Sequence, residues 1–203
     1  MIKLPWAPRA KAGTLALACG EDTVRYVLAS TCDERGATLA TWGTELRGYQ
    51  TREMFRKRLK AMLPQAQRVI AVLDPREYQI LQIEAPNVPA AELQDAVRWR
   101  AMEFLEGSPQ DYTIDVLSVP GAPSGPGKVI AVIAHNDVVR ALMLDCEALG
   151  RAAAVIDICE TAQRNLLHAT LLAEPQAPGV AGALVADARR ALLVVAVDGE
   201  LQF

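Results

Sequence analysis

The chain has 203 residues, 51% hydrophobic and 22% charged, with a formal net charge of −3. That is long enough for a sizeable core, as one domain or two small lobes, and too apolar for a disordered chain. The slightly acidic balance speaks against bulk nucleic-acid binding, and there is neither a run of about 18 apolar residues nor an apolar N-terminal stretch, so a soluble cytoplasmic domain is expected.

Residues 1–12 carry Lys3, Arg9 and Lys11 with two prolines and read as a flexible basic arm. Thr14–Cys19 and Val24–Ser30 read as strands around the turn Gly20-Glu21-Asp22-Thr23, and Ala37–Trp42 as a third, giving an antiparallel meander. Thr51–Leu63 places Met54, Phe55, Leu59, Met62 and Leu63 at helical spacing, and Pro64 closes it. Strands follow at Arg68–Leu73 and Tyr78–Glu84, then a helix over Ala90–Leu105. Tyr112–Val119 and Val129–Ala134 are strands separated by the Gly/Pro-rich loop Gly121–Lys128. Asn136 can cap a helix running to about Leu149, with Gly150 where a C′ glycine belongs. Ala152–Ile158 reads as a strand and Glu160–Leu172 as a helix. A Pro/Gly linker at 173–181 leads to strands Gly182–Ala186 and Leu192–Val197. Asp198-Gly199 signals a hairpin into Leu201-Gln202-Phe203. The chain stops inside a predicted strand, so a fragment of a longer protein is expected. The alternation of strands and helices predicts a mixed sheet with helices packed on it.

Four scattered cysteines (Cys19, Cys32, Cys146, Cys159) and two histidines (His135, His168) form neither a CxxC nor a metal-ligand spacing. Buried small hydrophobes are the expected role of the cysteines, and no metal is expected.

The most distinctive stretch is Leu81–Glu106, LQIEAPNVPAAELQDAVRWRAMEFLE, followed by Asp111–Pro120. An acidic-Pro turn, a helix with the pattern EL…A…W…E and a strand beginning D…D…L resemble the family of PilM of type IV pili and of the GspL cytoplasmic domain of type II secretion. The sequence is most similar to the family's MshI branch, which serves the MSHA pilus. The resemblance is good over about 76–120 and looser over 14–45 and 128–203. It implies an actin-like (RNase H-like) α/β fold. The first lobe would run over 13–172 with a subdomain inserted at about 76–134. The linker 173–181 and an incomplete second lobe from 182 would follow. It also implies a location at the cytoplasmic face of the bacterial inner membrane, with a membrane anchor downstream of Phe203.

Actin-like ATPases hold nucleotide between two phosphate loops, each with an Asp that orders Mg²⁺ and with Gly and small hydroxyl residues whose backbone cradles phosphate. Aligned on the family pattern, the first loop reads Ala16-Leu-Ala-Cys-Gly-Glu-Asp-Thr23. Ala18 stands where the Asp is expected, Gly20 is retained, and Glu21 and Asp22 replace small residues with charges that repel a triphosphate. The second loop reads Val185-Ala-Asp-Ala-Arg-Arg190, with Val185 at the Asp position, Asp187 two residues on, and no glycine. Both loops are degenerate, so neither ATP binding nor catalysis is expected. Asp157 matches the family's cleft-facing strand end, but with both loops degenerate the favoured reading is a carboxylate capping the next helix.

Two surfaces are candidates for partner contact. In the helix over 90–105, Leu93, Ala96, Val97, Ala101 and Phe104 make one apolar face. Trp99 and Met102 fall on the charged side beside Glu92, Asp95 and Glu103, to be covered by a neighbouring element or by a partner. Arg100 lies near the apolar face and is expected to pair with a carboxylate or a carbonyl. The second surface is the basic helix. Between Glu45 and Val69 the chain carries seven bases and one acid, and Arg52, Arg56, Lys57 and Lys60 are its contact candidates.

The expected function is an adaptor of a type IV (MSHA-like) pilus or type II secretion platform. It would dock the assembly ATPase and PilN/PilO-like alignment proteins, with no chemistry of its own. An anionic membrane surface and a homodimer are further partner expectations, and nucleic acid is not. The alternative is a nucleotide-binding actin-like ATPase or switch of the PilM type.

Overall fold

The computed structural model describes residues 13–20, 22–33, 36–63, 65–119, 127–173, 180–186, 191–197 and 200–202. Pro64, the arm 1–12, the loop 121–126, most of the linker and the Asp198-Gly199 turn lie outside them. The described residues divide into two compact units, one within Met1–Val72 and Leu144–Ile156, the other within Leu73–Met143 and Asp157–Phe203.

The first unit is built on a five-stranded mixed sheet of order β3-β2-β1-β4-β8. β1 (Thr14–Cys19) and β2 (Thr23–Asp33) form a hairpin from Thr14↔Ala29 to Cys19↔Val24. β3 (Gly36–Leu46) continues the meander with register shifts near Ala29, and β4 (Arg68–Val72) runs parallel to β1. Strand alternation puts Leu15, Leu17, Val69 and Ala71 on one buried face. Gly13 begins β1 at φ +115°, and a Cβ there would sit 2.3 Å from the Ala29 carbonyl oxygen, so only glycine fits. Its own carbonyl accepts from the amides of Gln67 and Arg68 at 3.0 and 3.3 Å, which anchors the start of β4.

α1 (Arg52–Met62) is capped by Thr51, whose hydroxyl accepts from the Met54 amide. It buries Phe55 and Leu59. Cys146 and Leu149, near the end of α3 (Asn136–Ala148), are also buried, and Gly150 ends that helix at φ +70°. Arg151, only 6% exposed, donates to the carbonyls of Leu63 at 3.0 Å and Gly150 at 2.9 Å, just past the ends of both helices. Burial lowers its pKa. The strand expected over Ala152–Ile158, which follows this arginine, shortens to β8 (Val155–Asp157).

The second unit centres on an antiparallel sheet of order β5-β7-β6, made of β5 (Tyr78–Glu84), β7 (Lys128–His135) and β6 (Tyr112–Val119). Its central strand is apolar on both faces because both are covered. Val129, Ala131 and Ile133 pack with Ile83, Ile114 and with Val97 and Ala101 of α2 (Leu93–Ala101). On the other face Ile130 and Val119 pack with Val194 and Leu201. Those two residues belong to a small sheet, order β11-β10-β9, of β9 (Val180–Ala186), β10 (Ala191–Val197) and β11 (Glu200–Leu201). α4 (Cys159–Ala173) contributes Leu167 to the same cluster. Residues 157–203 group with 73–143 in this unit.

The helix expected over Ala90–Leu105 is broken into a 3-10 turn at Ala90–Glu92, α2, and a second 3-10 turn at Met102–Phe104. Phe104, expected on the apolar face, is 65% exposed. Asn136 does not act as the expected cap. Its side chain donates to the Gln110 carbonyl at 2.6 Å and accepts from the Thr113 hydroxyl, and His135 Nδ1 accepts from the Asp137 amide instead.

Candidate functional site

The β1–β2 turn is tight, with the Gly20 amide donating to the Thr23 carbonyl at 2.8 Å. Ala18, inside β1, is registered between Arg25 of β2 and Val72 of β4, so no carboxylate is presented there. Asp22 is bound to Arg47: Nε donates to Oδ1 at 2.6 Å, a second guanidinium nitrogen contacts the same oxygen, and the Arg47 amide donates to the Asp22 carbonyl at 2.8 Å. The Asp22 carboxylate thus has a counter-charge beside it. Glu21 and Asp187 lie outside the described residues. Val185 sits in β9 opposite Leu192, 44% exposed. Among the described residues no group of three or more His, Cys, Asp or Glu side chains could hold a metal ion.

Asp157 serves the start of α4. Its Oδ1 accepts from the Ile158 amide at 2.9 Å and from the Thr161 hydroxyl, and its carbonyl accepts from the Leu73 amide. Beside it the Tyr78 hydroxyl donates to Glu160 at 2.5 Å and accepts from the Cys159 amide at 3.3 Å. Burial, then the bond to Glu160, pushes the Tyr78 pKa up. These groups satisfy one another, which fits an anchored helix start.

In α1, Arg52 and Arg56 converge on Asp145: Arg52 approaches one carboxylate oxygen at 3.0 Å and Arg56 contacts the other. Desolvation, then the Arg52 charge, lowers the Arg56 pKa. Arg58 reaches Glu45 at 3.4 Å and the Leu46 carbonyl at 2.8 Å, and its guanidinium lies 5.2 Å from the Phe55 ring centre. Lys57 and Lys60 are exposed, the latter with its stem beside Gly150. A shallow cleft brings Arg52, Arg56 and Asp145 together with Cys19 and Gly20. The Cys19 thiol is held protonated there by its hydrogen bond to Cys146 and by burial. The same bond lowers the pKa of Cys146, which is fully buried, and the two paired guanidinium groups fasten the helix.

α2 differs. Trp99 is 69% exposed and Met102 is half-buried, so no described neighbour closes over the tryptophan. Arg100, expected to pair near the apolar face, is exposed instead. Its neighbour Arg98 makes the inward bonds, donating to the carbonyls of Pro109 at 3.1 Å and Tyr112 at 3.5 Å. Neither Arg98 nor Arg151 stands out in the sequence, because their partners are backbone carbonyls, which carry no sequence signal.

No protein-family model and no curated protein matches the sequence. Solved structures match it. The PilM–PilN type IV pilus biogenesis complex superposes with a TM-score of 0.74 at 21% identity, over 97% of this chain and 61% of that one. The cytoplasmic domain of EpsL, an inner-membrane component of the type II secretion system of Vibrio cholerae, gives 0.64 at 12% identity, over 94% of this chain and 70% of that one. A Bacteroides thetaiotaomicron protein of actin-like ATPase fold and unknown function gives 0.51 at 9% identity, over 96% of this chain and 69% of that one. The chain has the actin-like fold and spans 61% of the length of the PilM–PilN chain it matches.

Proposed function

We propose that this chain is an adaptor domain of a type IV pilus or type II secretion assembly platform, of the PilM/GspL kind and its MshI branch. It works at the cytoplasmic face of the inner membrane, in a protein anchored to that membrane. Its partners are a PilN/PilO-like alignment protein and the assembly ATPase, and it performs no chemistry itself. The fold match to a PilM–PilN complex and to cytoplasmic EpsL supports the platform role. The observation that carries the absence of catalysis is the first hairpin turn, where Ala18 stands at the acidic position and Asp22 is tied to Arg47. Among the described residues of this turn, the one carboxylate, Asp22, already has a guanidinium partner, which argues against its serving Mg²⁺.

Calorimetry with Mg-ATP tests this. No heat up to high micromolar nucleotide, together with capture of a PilN-like protein, is expected. Micromolar binding that is lost in Asp187→Ala would overturn the adaptor reading and put the nucleotide switch in its place.

A further inference from the structure

We propose that the outer face of α2, centred on Trp99 and rimmed by Glu92, Asp95 and Glu103, is a docking surface for a basic polypeptide segment that places arginine or lysine side chains on the indole. The inference goes beyond the platform role and does not depend on which assembly the chain serves.

Trp99 lies on the side of α2 opposite Val97 and Ala101, which are both fully buried against the β5-β7-β6 sheet. Asp95 is one helical turn before it on the same face, and Glu92 and Glu103 flank it. All three carboxylates are exposed and, among the described residues, none forms an ion pair. Phe104, 65% exposed, is a second uncovered aromatic side chain near the end of the helix. The bases nearby do not cancel the acids: Arg98 is turned inward onto two carbonyls, which leaves Arg100.

An indole held out in water among unpaired carboxylates matches a cation twice. The ring face attracts a guanidinium or ammonium, and the carboxylates pair with it. The same charges repel an anionic bilayer, which selects a basic protein over a lipid surface. The platform is rigid, because the inner side of α2 is packed and Arg98 latches the helix to Pro109 and Tyr112. A preformed aromatic anchor costs little ordering entropy on binding, which is why tryptophan concentrates at interface centres.

The test is fluorescence anisotropy of a labelled nona-arginine peptide titrated with the chain. Saturable, salt-sensitive binding is expected. Trp99→Ala should weaken it about tenfold or more, Asp95→Asn with Glu103→Gln should weaken it and flatten its salt dependence, and Lys57→Glu should not weaken it. Trp99→Phe, which keeps a ring, should lie between Trp99→Ala and the parent and guards against a folding artefact. Absence of binding, or equal binding by the parent and the Trp99 and Asp95/Glu103 variants, would overturn the proposal. So would Trp99-dependent binding to phosphatidylglycerol vesicles, or Trp99-dependent self-association in sedimentation without peptide.

Discussion

α1 and α2 are both amphipathic, both rich in charge and both adjacent to a sheet, and they use those charges in opposite ways. In α1 the arginines turn back onto the fold. Arg52 and Arg56 share Asp145, Arg58 takes Glu45 and the Leu46 carbonyl, and Lys57 and Lys60 remain at the surface. In α2 one arginine, Arg98, is enough to hold the helix, and the carboxylates and Trp99 stay outside. A charged stripe in a sequence therefore says little about availability. What decides it is whether a counter-charge waits on a distant segment, as Asp145 does 89 residues from Arg56.

The comparison breaks most visibly if the internal anchors of α1 are removed. Arg151→Met leaves the Leu63 and Gly150 carbonyls without their donor and should cost about 2–3 kcal/mol. Asp145→Ala leaves the partly buried Arg56 guanidinium unpaired, and a loss of about 2 kcal/mol is expected. Urea midpoints measure both, and a Lys57→Ala or Lys60→Ala change of the same size would show that the pairing is not what distinguishes these residues. Arg98→Met, the equivalent anchor in α2, should cost about 1–2 kcal/mol, since one of its two bonds is long.

Much of the fold could be read from the residues. β1, β5 and β6 have the expected bounds, since strict alternation or a continuous apolar run between turn residues leaves little choice. The actin-like fold came from the resemblance carried by Leu81–Glu106, and the superpositions bear it out. What could not be read were interactions without local signal. The break of the helix at Met102 depends on where the chain must turn toward Ser108, whose capping box with Asp111 starts the next 3-10 turn. At the candidate site, that Ala18 stands where the resemblance expects an acidic residue was legible. The neutralisation of Asp22 was not, because Arg47 lies 25 residues away at the end of β3. Arg100 and Arg98 exchange the roles that an ideal helical wheel assigns them, since Arg98 alone lies within reach of the carbonyls that follow the break.

A smaller effect separates a hydrogen-bonded anchor from a charged one within the second unit. The Tyr78 hydroxyl bonds Glu160 and the Cys159 amide, and its pKa is raised by burial first and by Glu160 second. A folded value above the unfolded one means that the native state holds the proton more tightly. Its contribution is therefore complete below about pH 10 and declines as pH rises beyond that. Tyr78→Phe should cost about 1 kcal/mol at pH 7. Above pH 10 its stability should fall less steeply than that of the parent chain, as read from urea midpoints between pH 7 and 11. Parallel slopes would mean that the hydroxyl titrates as it does in the unfolded chain.

The smallest expected effect sharpens the comparison most. Trp99→Ser removes a large ring that is 69% exposed and replaces it with a residue of similar helix propensity, so the urea midpoint should move by no more than about 0.5 kcal/mol. Burial sets the cost of deleting a side chain, and this ring has little to lose. Leu59→Ala in α1, 1% exposed, should by contrast cost about 3 kcal/mol. A loss of more than about 1.5 kcal/mol at Trp99 would place the ring in a core and remove the surface on which cation binding depends. An unmoved midpoint leaves the ring free for a partner, and any loss of binding in the variant then belongs to the contact and not to the fold.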